Sequence, residues 1–185
     1  MQALAIVDMQ RWMFRFPERR AQLPALVPVL NRLAAAFSAR GHPIFEIAVF
    51  HKPDRSTWSR LMVKHNFACL IEGSPDTELV QGLALPPTRR LVRKTANSAF
   101  VRTTFEDQLR AMNVTKLFLA GAFMDGGVGL TAADAAQRGF EVCLVDDAIA
   151  HANERYRDTI MEWLAGLYEM SATTTDAICG AGRAA

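Results

Sequence analysis

Three polar features of this chain each follow an apolar run of strand length. Asp8 closes Ala3–Val7, and Lys94 follows Leu91-Val92. Lys116–Ala120 runs into Gly121-Ala-Phe-Met-Asp-Gly-Gly-Val-Gly-Leu-Thr-Ala-Ala-Asp-Ala135. Ligands in open α/β sheets gather at the carboxyl ends of strands, so three such ends could share one site. A carboxyl group there can move a proton, and an ammonium can hold a fixed positive charge. The glycine turn before a small-residue helix offers the backbone N–H groups of Gly126, Gly127 and Val128 to an anion or a developing oxyanion. No Cys, Ser or His stands in that turn. It therefore supplies backbone polarity and space rather than a nucleophile. Taken singly, each feature has a plainer reading: a turn aspartate, an exposed lysine, glycines that serve backbone geometry.

The elements that must position these groups are legible as a pattern. Apolar strand-length runs alternate with helical periodicity, which predicts an α/β fold with a largely parallel sheet. Leu23–Arg40 reads as a helix with Leu26, Val29, Leu30 and Leu33 on one face, closed by Gly41. Pro43–Phe50 is the second strand, and Leu91-Val92 starts a short third. Thr103–Met112 is a helix, with Thr103 and Glu106 spaced as a capping box. After the glycine turn a helix ends at Gly139, and Phe140–Val145 is a fifth strand with Asp146-Asp147 at its carboxyl end. Asn153 caps a helix through Leu167, and Met170–Thr174 adds a last strand. The excursion His51–Leu85, with turn signals at Lys52-Pro53-Asp54 and Gly73-Ser74-Pro75, is of a kind that covers a site. One domain over residues 1–180 and a flexible tail at 181–185 follow.

Composition excludes several classes of function. A formal net charge of +2 is too small to point to nucleic acid, and Arg19-Arg20 and Arg89-Arg90 read as solvated faces. Cys69, Cys143 and Cys179 are widely spaced with no CxxC, which suggests neither a disulfide framework nor a zinc site. The first strand begins at once, with no basic leader or long apolar segment, so a cytoplasmic location with no membrane partner is expected. A dinucleotide-binding Rossmann domain would carry its glycine fingerprint after the first strand, where this chain has Asp8-Met9-Gln10. No cofactor is expected.

Four segments together carry a resemblance: Ala3-Leu-Ala-Ile-Val-Asp-Met-Gln10, Val92-Arg-Lys-Thr-Ala-Asn-Ser-Ala-Phe100, the Gly121–Ala135 turn and helix, and Gly139-Phe-Glu-Val-Cys-Leu-Val-Asp-Asp-Ala148. Their order and spacing resemble the isochorismatase-like hydrolase superfamily, the cysteine hydrolases that include nicotinamidases and carbamoylsarcosine amidases. The resemblance implies a three-layer α/β/α, Rossmann-like fold around a six-stranded, mainly parallel sheet, and a homodimer or higher homo-oligomer. It also implies an Asp, Lys and Cys triad. Asp8 matches the aspartate and Lys94 the lysine, but the cysteine position is Gly127.

In the amidase branch the aspartate takes the thiol proton, the thiolate attacks a carbonyl, and helix-start amides hold the oxyanion. Without sulfur that route closes, because losing the nucleophile of such a triad costs on the order of 10⁶ in kcat. The chain resembles instead the isochorismatase branch and its relative in phenazine synthesis, where glycine at this position is normal and a vinyl ether is cleaved. On that resemblance Asp8 is a general acid, or acid/base, with water as nucleophile for vinyl-ether or related C–O or C–N cleavage and no covalent thioester step. On the same resemblance Lys94 orders Asp8 or the substrate, and Gly127 leaves room for the substrate. Substrate contacts are assigned to Phe100, Phe123 and Arg55. A dicarboxylate substrate would need a cationic pocket, for which His51, Lys52, Arg55, Arg60 and Lys64 are candidates. The chain departs from that branch at Met124-Asp125-Gly126, where its histidine-containing turn has no counterpart.

The amidase branch's Asp-x-His metal pair is also missing, since His51 and His65 stand alone, and no bound metal is predicted. A general acid near neutral pH needs its carboxyl pKa raised by about 2–3, or roughly 3–4 kcal/mol. Lys94 opposes that rise, so burial of Asp8 must outweigh it. The competing reading is an inactive relative that keeps a small-molecule pocket or serves as an oligomeric scaffold.

Overall fold

The computed structural model describes residues 1–180, so the tail expected at 181–185 lies outside the described residues. Six strands form one sheet in the order β3-β2-β1-β4-β5-β6. They are β1 (Gln2–Val7), β2 (Ile44–Val49), β3 (Arg90–Lys94), β4 (Lys116–Gly121), β5 (Glu141–Ile149) and β6 (Ser171–Thr173). Every pairing is parallel. The expected mainly parallel sheet is thus wholly so.

Parallel strands need covered faces, and the alternation along β1 shows both being covered. Ala3, Ala5 and Val7 pack with Phe105, Leu109, Ala132 and Leu164. Those partners come from α4 (Phe105–Ala111), α5 (Gly129–Gln137) and α6 (Glu154–Tyr168). Leu4 and Ile6 face the other way, onto Leu26, Leu30, Leu33 and Phe37 of α2 (Leu23–Ala39). Ile178 of α7 (Thr175–Gly180) joins this second layer. Two short helices, α1 (Pro17–Arg20) and α3 (Arg60–Lys64), complete the set. No helix among the described residues is long and apolar enough to cross a membrane.

Strand order reverses at β1, whose neighbours are β2 and β4. That switch point opens a crevice at the carboxyl ends, where Asp8 leaves β1 and the glycine turn leaves β4. Gly121 permits the close approach: its φ is +106°, and a Cβ there would overlap the Val7 carbonyl oxygen. No other residue fits that backbone against β1.

Three expectations are corrected. The fifth strand does not stop at Val145 but continues through Asp146 and Asp147 to Ile149. Both carboxylates have partners there: Asp146 accepts from Arg157, and Asp147 accepts from Thr175 N at 2.8 Å, starting a helix the sequence did not announce. The capping box at Thr103 does not form. Thr103 Oγ1 accepts from Phe105 N at 3.2 Å, while Glu106 pairs with Arg110 and Arg138. Glu106 therefore ties α4 to the end of α5 rather than reaching back to its own helix start. Asn153 does cap α6, its side chain accepting from Arg155 N.

Candidate active site

Asp8 is the first residue past β1 and takes a left-handed conformation, φ 52°, which aspartate tolerates better than most residues. Its amide still donates to Ile47 O at 2.8 Å, so the backbone stays anchored to β2 while the side chain turns into the crevice. Lys94 closes β3, two strands away. Two strand spacings are roughly 9.5 Å, a gap that only a long side chain can cross. Its ammonium reaches Asp8 Oδ2 at 2.7 Å and the Asn97 carbonyl at 2.5 Å.

The pair is sealed from water. The Lys94 side chain is 0% exposed and that of Asp8 6%. Burial raises the Asp8 pKa to about 6, outweighing the opposing charge and hydrogen bond of Lys94. Its second oxygen, Oδ1, is buried with no hydrogen-bond partner. With Oδ2 held by an ammonium, a proton on this carboxyl belongs on Oδ1.

Gly127 lies directly beneath. A Cβ built there would overlap Asp8 Oδ2 and stand 3.1 Å from Val7 Cγ1. The expectation that Gly127 leaves room for substrate is therefore corrected: the carboxyl of Asp8 itself occupies that space. The anion cradle expected of Gly126, Gly127 and Val128 also changes. The amides of Gly126 and Val128 both donate to the Phe123 carbonyl, at 3.0 and 3.1 Å, so they are committed within the turn. Asp125 ties the same turn to the start of α6, accepting from Ala152 N at 2.7 Å and Asn153 N at 2.9 Å.

A cavity of about 590 Å³ borders Val49 and Asn97, the neighbours of Lys94, while Asp8, Lys94 and Gly127 themselves do not line it. Val49 and Thr95-Ala96-Asn97 form the wall nearest the sheet. Asn97 thus faces the cavity while its carbonyl holds Lys94. Trp12 and Met13 contribute from the turn after β1, and Leu61, Met62, Phe67 and Leu70 from the His51–Leu85 excursion. The excursion thus forms most of the cavity wall away from the sheet. His51 and Glu72 join it to the sheet end: His51 N donates to Leu70 O at 2.8 Å, and Glu72 N to His51 O at 2.9 Å.

The three assigned substrate contacts do not line this cavity. Phe100 packs against Phe105 and Phe140 in the core, at centroid distances of 4.9 and 6.0 Å. Phe123 packs against Phe14 at 5.3 Å on the opposite face of the sheet. Arg55 stacks on Trp58 at 4.6 Å and donates to Asn66. Of the cationic candidates only His51 lines the cavity. Its Nδ1 lies 2.8 Å from Thr57 O, and burial lowers its pKa, favouring the neutral ring. No three His, Cys, Asp or Glu side chains among the described residues come together as a metal-holding group.

One supporting residue escaped the sequence reading. Gln10 is fully buried; its side chain accepts from Val49 N at 2.8 Å and donates to Val49 O at 2.9 Å, fixing the end of β2 beside Lys94. Cys69 lines the cavity, but burial pushes its thiol pKa up, away from the thiolate a nucleophile needs.

Comparison with known proteins places the chain. Residues 2–177 match the isochorismatase domain family. The phenazine biosynthesis protein PhzD1 of Pseudomonas aeruginosa is 30% identical over 179 residues, covering 95% of this chain and 84% of the relative. A probable isochorismatase of Pseudomonas chlororaphis is 27% identical over 176 residues, with 95% of this chain and 84% of the relative covered. The crystal structure of an isochorismatase family protein from Desulfovibrio vulgaris superposes with a TM-score of 0.86 at 25% identity, covering 97% of both chains.

Proposed function

The chain belongs to the isochorismatase family, and on that footing we propose that it hydrolyses a small-molecule vinyl ether with Asp8 as general acid and water as nucleophile. The observation that carries this is the state of Asp8: a buried carboxyl, pKa raised to about 6, with one oxygen held by Lys94 and the other unpartnered. A thiol relay would use the same carboxyl as a base, but Gly127 supplies no thiol and the turn amides of Gly126 and Val128 are taken. Relatives described as a phenazine biosynthesis protein and a probable isochorismatase support the same reading.

The chemistry follows from this placement. Asp8 Oδ1 gives its proton to the terminal carbon of the enol ether, turning the methylene into a methyl group and leaving an oxocarbenium ion. Lys94 stabilises the carboxylate so formed. Water adds to the cationic carbon as Asp8 takes back a proton, giving a hemiketal. Its C–O bond then breaks, the leaving oxygen takes the hydroxyl proton, and an alcohol and a methyl ketone or aldehyde depart. The enzyme ends with Asp8 protonated again. No covalent adduct with the protein forms.

Hydrolysis of an enol ether in D₂O provides the test. One solvent deuteron is expected in the methyl group of the carbonyl product, read by mass spectrometry, with release suppressed in Asp8→Asn. Products formed at equal rates by wild type and Asp8→Asn would remove Asp8 from the reaction. A binding or scaffold role without turnover is favoured by the near-complete closure of Asp8, and it requires that no labelled product form.

A further inference from the structure

Resting on the reading of Asp8 as the acid, we infer that the substrate is an uncharged molecule with an apolar, ring-sized body rather than a dicarboxylate. The cavity bordered by Asn97, whose carbonyl holds Lys94, is about 590 Å³, of a size for a small ligand. Trp12 and Phe67, with ring centroids 5.9 Å apart, form an aromatic wall that Leu61, Met62 and Leu70 extend. Among the described residues no Lys, Arg, Asp or Glu lines it, and its two imidazoles are those of His51 and His65. His51 is held towards its neutral form by burial and has Nδ1 engaged at Thr57 O.

A carboxylate entering this space would give up hydration against an apolar wall and face no lining lysine or arginine, only the imidazoles of His51 and His65. Lys94 does not line the cavity, and its fully buried ammonium is directed at Asp8 Oδ2 and the Asn97 carbonyl. The guanidinium groups of Arg11, Arg15 and Arg20 gather instead at a separate cavity of about 320 Å³, which Trp12 also borders. There Arg11 pairs with Glu78, while Arg15 and Arg20 donate to backbone carbonyls. A flat apolar ring, by contrast, gains contact with the aromatic wall and gives up little hydration.

Two probes with the same reactive group separate the classes: phenyl vinyl ether, uncharged, and 3-(1-carboxyvinyloxy)benzoate, a dianion. Release of the phenolic product is followed for each, together with quenching of tryptophan fluorescence and its loss in Trp12→Phe. The expected result is a kcat/KM at least tenfold higher for phenyl vinyl ether. In Leu61→Lys, which adds an ammonium at an exposed lining position, the ratio should move about fivefold towards the dianion. Preference for the dianion in the wild type overturns the substrate class while leaving the role of Asp8 intact. Selective quenching by phenyl vinyl ether with no turnover of either probe supports the class and overturns the acid role. Failure of phenyl vinyl ether to bind overturns the class.

Discussion

Asp8→Asn is expected to lower kcat/KM for enol-ether hydrolysis by about a thousandfold, in the middle of the range for loss of a positioned general acid. Asparagine keeps the shape and an oxygen for Lys94 Nζ, but it has no proton acidic enough to give to carbon. The same change leaves the ammonium of Lys94, whose side chain is 0% exposed, without its counter-charge. Breaking a buried pair in this way destabilises by about 3–5 kcal/mol, to be read from denaturant unfolding. The double variant Asp8→Asn/Lys94→Met separates the two effects. Removing both charges with an apolar side chain of similar length should return most of the stability and none of the turnover. A double variant that regained activity along with stability would show that Asp8 matters only for packing.

Writing the sulfur back, as Gly127→Cys, is expected to lower enol-ether turnover by about a hundredfold and to create no amidase. The Cβ would overlap Asp8 Oδ2, so the carboxyl must swing away from Lys94 or the turn must lift. Either movement spoils the alignment of the acid, since a misplacement of about 1 Å costs on the order of 10². Overpacking of this kind also destabilises by about 1–3 kcal/mol. No amidase should follow, because a carboxyl displaced from Lys94 is no longer placed to take the thiol proton, and the amides of Gly126 and Val128 remain bound to the Phe123 carbonyl. Nicotinamide hydrolysis and enol-ether hydrolysis measured on the same preparation check both halves. Rapid ammonia release from nicotinamide would mean that the thiol relay is latent and that the closure over Gly127 is not what blocks it.

The parts of the site set by strand periodicity were legible from the residues. Asp8 and the glycine turn stand where apolar runs end on either side of the switch point, and β1 does pair with both β2 and β4. Lys94 was legible as a strand-end cation, but its reach past β2 to Asp8 depends on strand order, which no local pattern encodes. Aromatic direction was not legible either. Phe100 and Phe123 flank the site in sequence, yet each turns into a core on its own side of the sheet. The excursion after β2 showed its turns and charges, and Leu61, Met62 and Phe67 among those charges were what faced the cavity. Their position on the cavity wall follows from tertiary packing, since no helical or strand period in the sequence runs through that stretch. Asp146-Asp147 looked like the end of a strand because paired carboxylates seldom continue one. Arg157 and Thr175, distant in sequence, satisfy them and let β5 run on. Nothing at Ala122-Phe123 announces the cis peptide that the turn adopts.

The most direct test of Asp8 as an acid is the pH dependence of kcat/KM with an uncharged vinyl ether, corrected for the uncatalysed rate. A carboxyl whose pKa is raised to about 6 is protonated below that pH and loses its proton above it. Since the acid form is the active one, kcat/KM should be level at low pH and fall about tenfold per pH unit above 6. Asp8→Asn should remove that descending limb along with the activity. A rate that instead climbs as pH passes through 6, as it would for a carboxylate acting as base, would contradict the account.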